Sequence, residues 1–393
     1  MSSASAVYLD HAATTPMVPA ALEAMTAELV RTGNPNSLHA SGRRARRVVE
    51  ESRETIAQAI GCRPGEVVFT SGGTEADNLA VQGITAARTA ADPRRRRLLA
   101  SAIEHHAVLD TVEWLGRAGR AEIDLLPVDG TATLDLEALA ERVHGDPASI
   151  AMISVMWANN EIGTLQPLGE IVALAAEHGI PVHADAVQAL GAVPVDFAAS
   201  GLDALALSGH KVGGPVGVGA LVLRRDVDVV PLVHGGGQER DIRSGTVDAP
   251  AIAGFAAAVE LAVKHQAEHA ARLEQLRQRL VAGVRFAVPD AVLNGPADPD
   301  RRLPGVAHFS FPGCEGDSLL MLLDARGIEC STGSACSAGV PQPSHVLLAM
   351  GRADDEARSS LRFSLGHTST ERDVDALVAA IGPCVERARA AKG

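Results

Sequence analysis

Lysine is nearly missing from this chain: of 35 basic residues among 393, only Lys211, Lys264 and Lys392 are lysines. Any chemistry that needs a side-chain amine therefore has three candidates. Acidic residues outnumber basic ones, 48 to 35, for a formal net charge of -13. That balance argues against direct nucleic-acid binding or an anionic membrane surface, because such partners require a basic face that displaces counterions. No apolar run reaches the roughly 18 residues of a membrane span. The opening MSSASAVYLDHAATTP has neither the basic nor the apolar region of a secretion signal, so a cytoplasmic protein with no membrane partner is expected. The five cysteines, Cys62, Cys314, Cys330, Cys336 and Cys384, are odd in number and contain no CxxC pair. A disulfide framework and a closed zinc site both become poor readings, and cysteine chemistry would rest on a single thiol.

What is present is an ordinary globular composition, 46% hydrophobic and 21% charged, with room for two or three domains at about 150 residues each. Short β-branched runs alternate with helical segments: VVFT at 67–70, LLASAI at 98–103, IDLLPV at 123–128, IAMISVM at 150–156, IPVHADA at 180–186, LDALALSG at 202–209 and VGALVLR at 218–224. Such alternation predicts an α/β fold, a mostly parallel sheet with helices on both faces. Ligands in such sheets sit at the carboxyl ends of strands. A long helix is expected over 249–284, and a domain boundary inside or just after it. Residues 15–258 then form the large α/β domain, while 1–14 and 259–393 form a smaller α+β domain. The run Arg94–Arg97 reads as a solvated loop.

Several strand ends carry chemistry. VVFTSGGTEADNLAV sets Gly72, Gly73 and Thr74 between a strand and a helix, where glycines and free N–H groups can cradle a phosphate. IPVHADAVQAL ends a strand with His183, Asp185 and Gln188. A buried Asp needs a positive partner; a metal and a protonated pyridine nitrogen both qualify, as does a helix cap or ion pair. SGHKVGG puts Lys211 just past a strand, where burial can release a neutral amine; Lys264 sits in a polar helix and Lys392 is next to last. His105 and His106 follow another strand, and Asn160 another. Cys336 lies in a run of small and polar residues, STGSACSAGV, that cannot pack a core, which suits an accessible nucleophile. Arg362 in LRFSLG is placed to grip a carboxylate.

In order, YLDHAATTP, SGGTEADN, EHHAVL, NNEIGT, HADAVQ, SGHK, HGGGQERDIRSGT, GSACSAG with PSHVL, and RFSLG resemble the motif set of cysteine desulfurases of the NifS/IscS type, in the class V aminotransferase group. The resemblance runs from residue 8 to about 370. It implies a homodimeric fold-type I pyridoxal 5'-phosphate enzyme with a seven-stranded-type sheet, converting L-cysteine to L-alanine and a persulfide on Cys336. By resemblance, Lys211 carries the cofactor, His105 stacks on its ring, and Asp185 pairs with its nitrogen. Gln188 and Asn160 would lie near the ring hydroxyl; Gly73, Thr74, Ser208 and His210 would hold the phosphate, with Thr246 reaching across from the other subunit. Asn34 and Arg362 match positions that bind the substrate carboxylate. The resemblance also implies a sulfur-acceptor protein such as an iron–sulfur scaffold, sulfur supply for iron–sulfur clusters or tRNA thiolation, and no resident metal, with room for transient iron–sulfur ligation at Cys336. A metal-dependent protein built on His183 and Asp185, and a transaminase with no use for Cys336, are the competing readings.

Overall fold

A computed structural model describes residues 6–333 and 343–392. The chain opens with strand β1 (Val7–Tyr8) and helices α1 (Pro19–Leu29) and α2 (Ala40–Ala59). The alternating block follows as β2 (Val67–Thr70), α3 (Gly73–Ala91), β3 (Arg97–Ser101), α4 (His106–Arg117), β4 (Glu122–Leu126), α5 (Leu136–Gly145), β5 (Ile150–Ser154), α6 (Leu168–Ala176), β6 (Val182–Asp185), α7 (Phe197–Ser200), β7 (Ala204–Ser208) and β8 (Gly219–Leu223). Helices α8 (Ala249–Lys264) and α9 (Gln266–Ala287) come next, then β9 (Val292–Asn294), β10 (Val306–Ser310), α10 (Gly316–Asp324) and β11 (Ile328–Glu329). The chain closes with α11 (His345–Ala349), α12 (Asp354–Arg358), β12 (Ser360–Ser364) and α13 (Glu371–Lys392).

The strands of the alternating block form one seven-stranded sheet in the order β2-β8-β7-β6-β5-β3-β4. All neighbours in it are parallel except at β8, which runs antiparallel to both β2 and β7. This is the mostly parallel architecture that the alternation predicts. Both faces are buried, which explains why the strands read as continuous apolar runs. Phe69, Leu99, Ile153, Val182, Leu205 and Val222 pack on one face, and their neighbours Val68, Leu98, Met152, Ala204 and Leu221 on the other.

The expected helix over 249–284 is instead two. Helix α8 ends at Lys264, His265 leaves the helical conformation (φ -105, ψ 11), and α9 starts at Gln266. The two helices serve different cores. Ile252, Phe255 and Val259 of α8 join the core of the large sheet, whereas Leu273, Leu276 and Leu280 of α9 pack with β10, β12 and α13 around Phe309, Phe363 and Leu377. In that second core, β12, β10 and β9 form an antiparallel sheet, and β1 pairs with β11. Residue 10 bridges to Ser364 and Ser331 to Arg362, so the N-terminal segment is stitched to the C-terminal part.

Candidate active site

The carboxyl ends of β6 and β7 and the turn after β2 open on one cavity of about 340 Å³. Its wall includes Gly73, Thr74, His105, Asn160, Asp185, Gln188, Ser208, His210, Lys211 and Arg362. Ten of the residues singled out from sequence are thus brought together from six separate segments. Asn34 and Thr246 are exposed and do not line this cavity. The Asn34 side chain accepts from the Asn36 N–H at 2.9 Å and so closes its own turn. Cys336 lies outside the described residues, but Gly333 before it and His345 after it both belong to the cavity wall.

Lys211 follows β7 in a single 3₁₀ turn over Gly209–Lys211. Its Nζ donates to the carbonyl oxygens of Ala12 and, at 2.7 Å, Ala13, so the segment after β1 holds the amine. Burial lowers the Lys211 pKa to about 8, and the Arg362 charge pushes the same way. The ammonium still predominates near pH 7, but the neutral amine is far more accessible than in a free lysine.

Asp185 ends β6 almost wholly buried, with Oδ1 accepting from the Val187 N–H at 2.8 Å. Burial raises its pKa, against His105, that N–H and Lys211, which favour the anion. His105 caps α4, and its Nδ1 accepts from the Ala107 N–H at 3.1 Å. That bond assigns the proton of the neutral ring to Nε2. Burial lowers the His105 pKa. Arg362 is buried on β12, donating to Asp10 at 2.7 Å and to the Asn160 carbonyl at 2.9 Å. A guanidinium has five N–H groups, so its fork retains donors for a carboxylate. Gln188 donates to the Ala12 carbonyl at 2.9 Å.

The residues present fit pyridoxal phosphate. Helix α3 starts without a side-chain cap, behind Gly72 at φ 152, a conformation reserved for glycine. A Cβ on Gly73 would lie 2.8 Å from Val187 Cγ2, so the turn is as close to its neighbour as backbone can come. Unpaired N–H groups at that helix start, with Ser208 and His210 beside them, form an anion cradle. The same cavity holds a carboxylate, Asp185, and an amine, Lys211, the two groups whose chemistry suits a pyridine nitrogen and an aldehyde.

Sequence reasoning passed over a buried acid cluster at the base of the cavity, whose wall includes Asp77. Asp77 and Glu104, both essentially inaccessible, are driven well above the usual carboxylate range, first by burial and then by the Asp185 charge. Glu104 accepts from the Met156 N–H at 2.6 Å. His183 faces Asp77 with Nε2 3.5 Å from Oδ1, while its Nδ1 meets Ser154 Oγ at 3.0 Å. Among the described residues, His183 and Asp185 belong to no cluster of three metal donors. The one signal available in sequence was polarity inside apolar elements, Asp77 within α3 and Glu104 after β3.

The family described as Aminotransferase class-V matches residues 7–377 of the chain. The chain is 58% identical over 386 residues to "IscS-like cysteine desulfurase" of Mycobacterium tuberculosis, covering 98% of this chain and 97% of that one. The chain belongs to the IscS/NifS-type cysteine desulfurases, within the class-V aminotransferase family. Among solved structures, a NifS-like protein superposes with a TM-score of 0.89 at 36% identity, covering 97% of the desulfurase chain and 100% of the other. One titled "SspA in complex with cysteine" matches with a TM-score of 0.77 at 32% identity, covering 91% and 98%. The desulfurase is accordingly a pyridoxal-phosphate-dependent enzyme of fold type I.

Thiol chemistry narrows in the same direction. Burial pushes the Cys62 and Cys330 thiols up to about 12 and also raises Cys384, which suppresses their thiolates. The four arginines of the 94–97 run are engaged locally: Arg94 with Asp92, Arg95 with the Ile150 carbonyl, Arg96 with the Gly119 carbonyl, and Arg97 with Asp124. Arg95 and Arg97 are partly buried rather than fully solvated.

Proposed function

We propose that this enzyme converts L-cysteine to L-alanine and leaves the sulfur as a persulfide on Cys336. An acceptor protein of iron–sulfur cluster assembly then takes the sulfur, with tRNA thiolation as a further destination. The observation that carries this reading is the convergence of Lys211, Asp185 and His105 on one buried cavity. Pyridoxal phosphate supplies there an electron sink for bond changes at the substrate Cα.

The chain's own residues do the rest. Gly73, Thr74, Ser208 and His210, with the partner subunit's Thr246, hold the phosphate. Asp185 fixes a proton on the ring nitrogen by its charge. His105 would lie against the ring, and its Nε2–H would be available for proton transfer. Lys211 would hold the cofactor through its aldehyde, and its amine, with a pKa lowered to about 8 by burial, would be the base within the cavity for the α-proton. Asn160 and Gln188 stand at the ring hydroxyl. Arg362 would orient the substrate carboxylate, whereas Asn34 lies outside the cavity. The Cys336 thiolate attacks the substrate sulfur: a sulfur–sulfur bond forms, the carbon–sulfur bond breaks, and carbon takes up a proton to give alanine.

A homodimer in the cytoplasm belongs to the same reading. Val30 and Leu38, either side of Asn34, are 85% and 87% exposed in the single chain, as expected of a face that a second copy covers. No helix among the described residues is long and apolar enough to cross a membrane. The separate cores behind α8 and α9 support a two-part division of the chain. The boundary falls at the joint between these helices near His265 rather than at 258, because Val259, Ala262 and Val263 still pack on the core of the large sheet.

The test is alanine and sulfide release from L-cysteine with reductant. Cys336→Ala is expected to keep the colour of the bound cofactor and lose turnover, and Lys211→Ala to lose covalent attachment of the cofactor. Full activity in Cys336→Ala would overturn the reading in favour of a transaminase-like reaction.

A further inference from the structure

Away from the cavity, the described residues contain one convergence of metal-ligand side chains: His144, Glu177 and His178, each offering an atom within 4.8 Å of the others. His144 stands in the last turn of α5, and Glu177 and His178 directly follow α6. The two helices pack on each other, so the donors meet where two helix C-termini come together. Both ends carry the partial negative charge of unsatisfied carbonyls, which favours a cation.

His178 is held in place by its backbone. Its N–H donates to the Ala175 carbonyl at 3.1 Å, and Gly179, at φ 61, closes the helix by donating to Ala176. The His178 Nε2 is buried and has no hydrogen-bond partner among the described residues, an unfavourable state for a buried polar atom. The His144 ring stands 5.8 Å from it, centroid to centroid, at 73°. The arginines of this corner are already engaged, Arg142 by Asp124 at 2.9 Å and Arg88 by the Gly179 carbonyl at 2.9 Å.

We propose that this corner binds one Zn²⁺ through His144, Glu177 and His178, with water in the fourth position, and that the ion pins the C-terminal ends of α5 and α6. Two imidazoles and a carboxylate are a donor set that suits zinc. Bonds of about 2.0–2.1 Å place tetrahedral ligands roughly 3.4 Å apart, so rotation of the exposed His144 and Glu177 side chains closes the site without backbone movement. None of the three residues lines the active-site cavity, and the ion takes no part in sulfur transfer.

The experiment is equilibrium dialysis of the holoenzyme against Zn²⁺, comparing wild type with His144→Ala and Glu177→Gln, together with thermal melts with and without the metal. Thiols elsewhere also bind zinc, and the difference between wild type and variant cancels them. Wild type is expected to hold one equivalent more than either variant, with affinity for that ion at least about tenfold weaker once a ligand is lost. Zinc is expected to raise the melting temperature of wild type alone, while zinc-free turnover stays equal in all three. Equal zinc content, or an equal thermal shift in wild type and both variants, would overturn the site.

Discussion

Asp77 and Asp185 face the same cavity, yet their electrostatic surroundings differ. Asp185 has His105, Lys211 and the Val187 N–H to favour its anion. Asp77 has burial, the Asp185 charge and Glu104 against it, and beside it a His183 that burial lowers to about 3 and so keeps neutral. We expect Asp77 to be a neutral acid and Asp185 to hold the negative charge that matters. Asp77→Asn, which keeps the shape of the protonated carboxyl, should therefore leave cofactor absorbance and turnover close to wild type. Asp185→Asn should lower turnover on the order of 10²–10³-fold, the range of a lost charge-stabilising contact. Parallel rate and absorbance measurements decide this, and a comparable loss in Asp77→Asn would mean that Asp77 is ionised. Sequence pointed to Asp185 because an acid ending an apolar strand needs a partner. Asp77 was invisible by the same logic, since one acid within a helix reads as an exposed face.

At the scale of elements, the segment HGGGQERDIRSGT is a fastened loop. Glu239 is buried and accepts from Arg53 of α2 at 2.8 and 2.9 Å and from the Phe69 N–H of β2 at 2.9 Å. Arg243 pairs at 2.8 Å with Glu75, whose other oxygen accepts from the Ser71 N–H at 2.7 Å. The loop that carries Thr246 is thereby tied to the turn that carries Gly73 and Thr74. Glu239→Ala would leave the Arg53 guanidinium with only the half-exposed Glu50 as counter-charge, a change that costs on the order of 3 kcal/mol. Urea unfolding should show that loss, and an unchanged midpoint would refute the anchoring role. Strand positions were legible because a sheet buried on both faces leaves apolar runs. The break at His265 was not, because two consecutive helices share one periodic pattern when neither glycine nor proline marks the joint.

At the scale of the whole molecule, folding buries several histidines as neutral rings. Burial takes His11, His210 and His269 from 6.5 to about 4, and His183 and His308 to about 3. Between 6.5 and those values the unfolded chain binds protons that the folded one refuses. Stability from these groups is complete above 6.5 and falls as pH drops through that window. The melting temperature at constant ionic strength should decline steadily below pH 6.5, and a flat profile down to about 4 would contradict it.

The sequence by itself determined the class of sheet, the positions of its strands, the scarce lysine and the acid that ends β6, because burial and backbone period leave local marks in residue order. Only the tertiary structure decided that the segment after β1 clasps Lys211, that Asp10 holds Arg362, and that Asp77, Glu104 and His183 stack behind Asp185. It alone brought His144 to Glu177 and His178. These pairings join residues far apart in the chain, and their energies come from shared burial and charge, which exist only once the elements have packed.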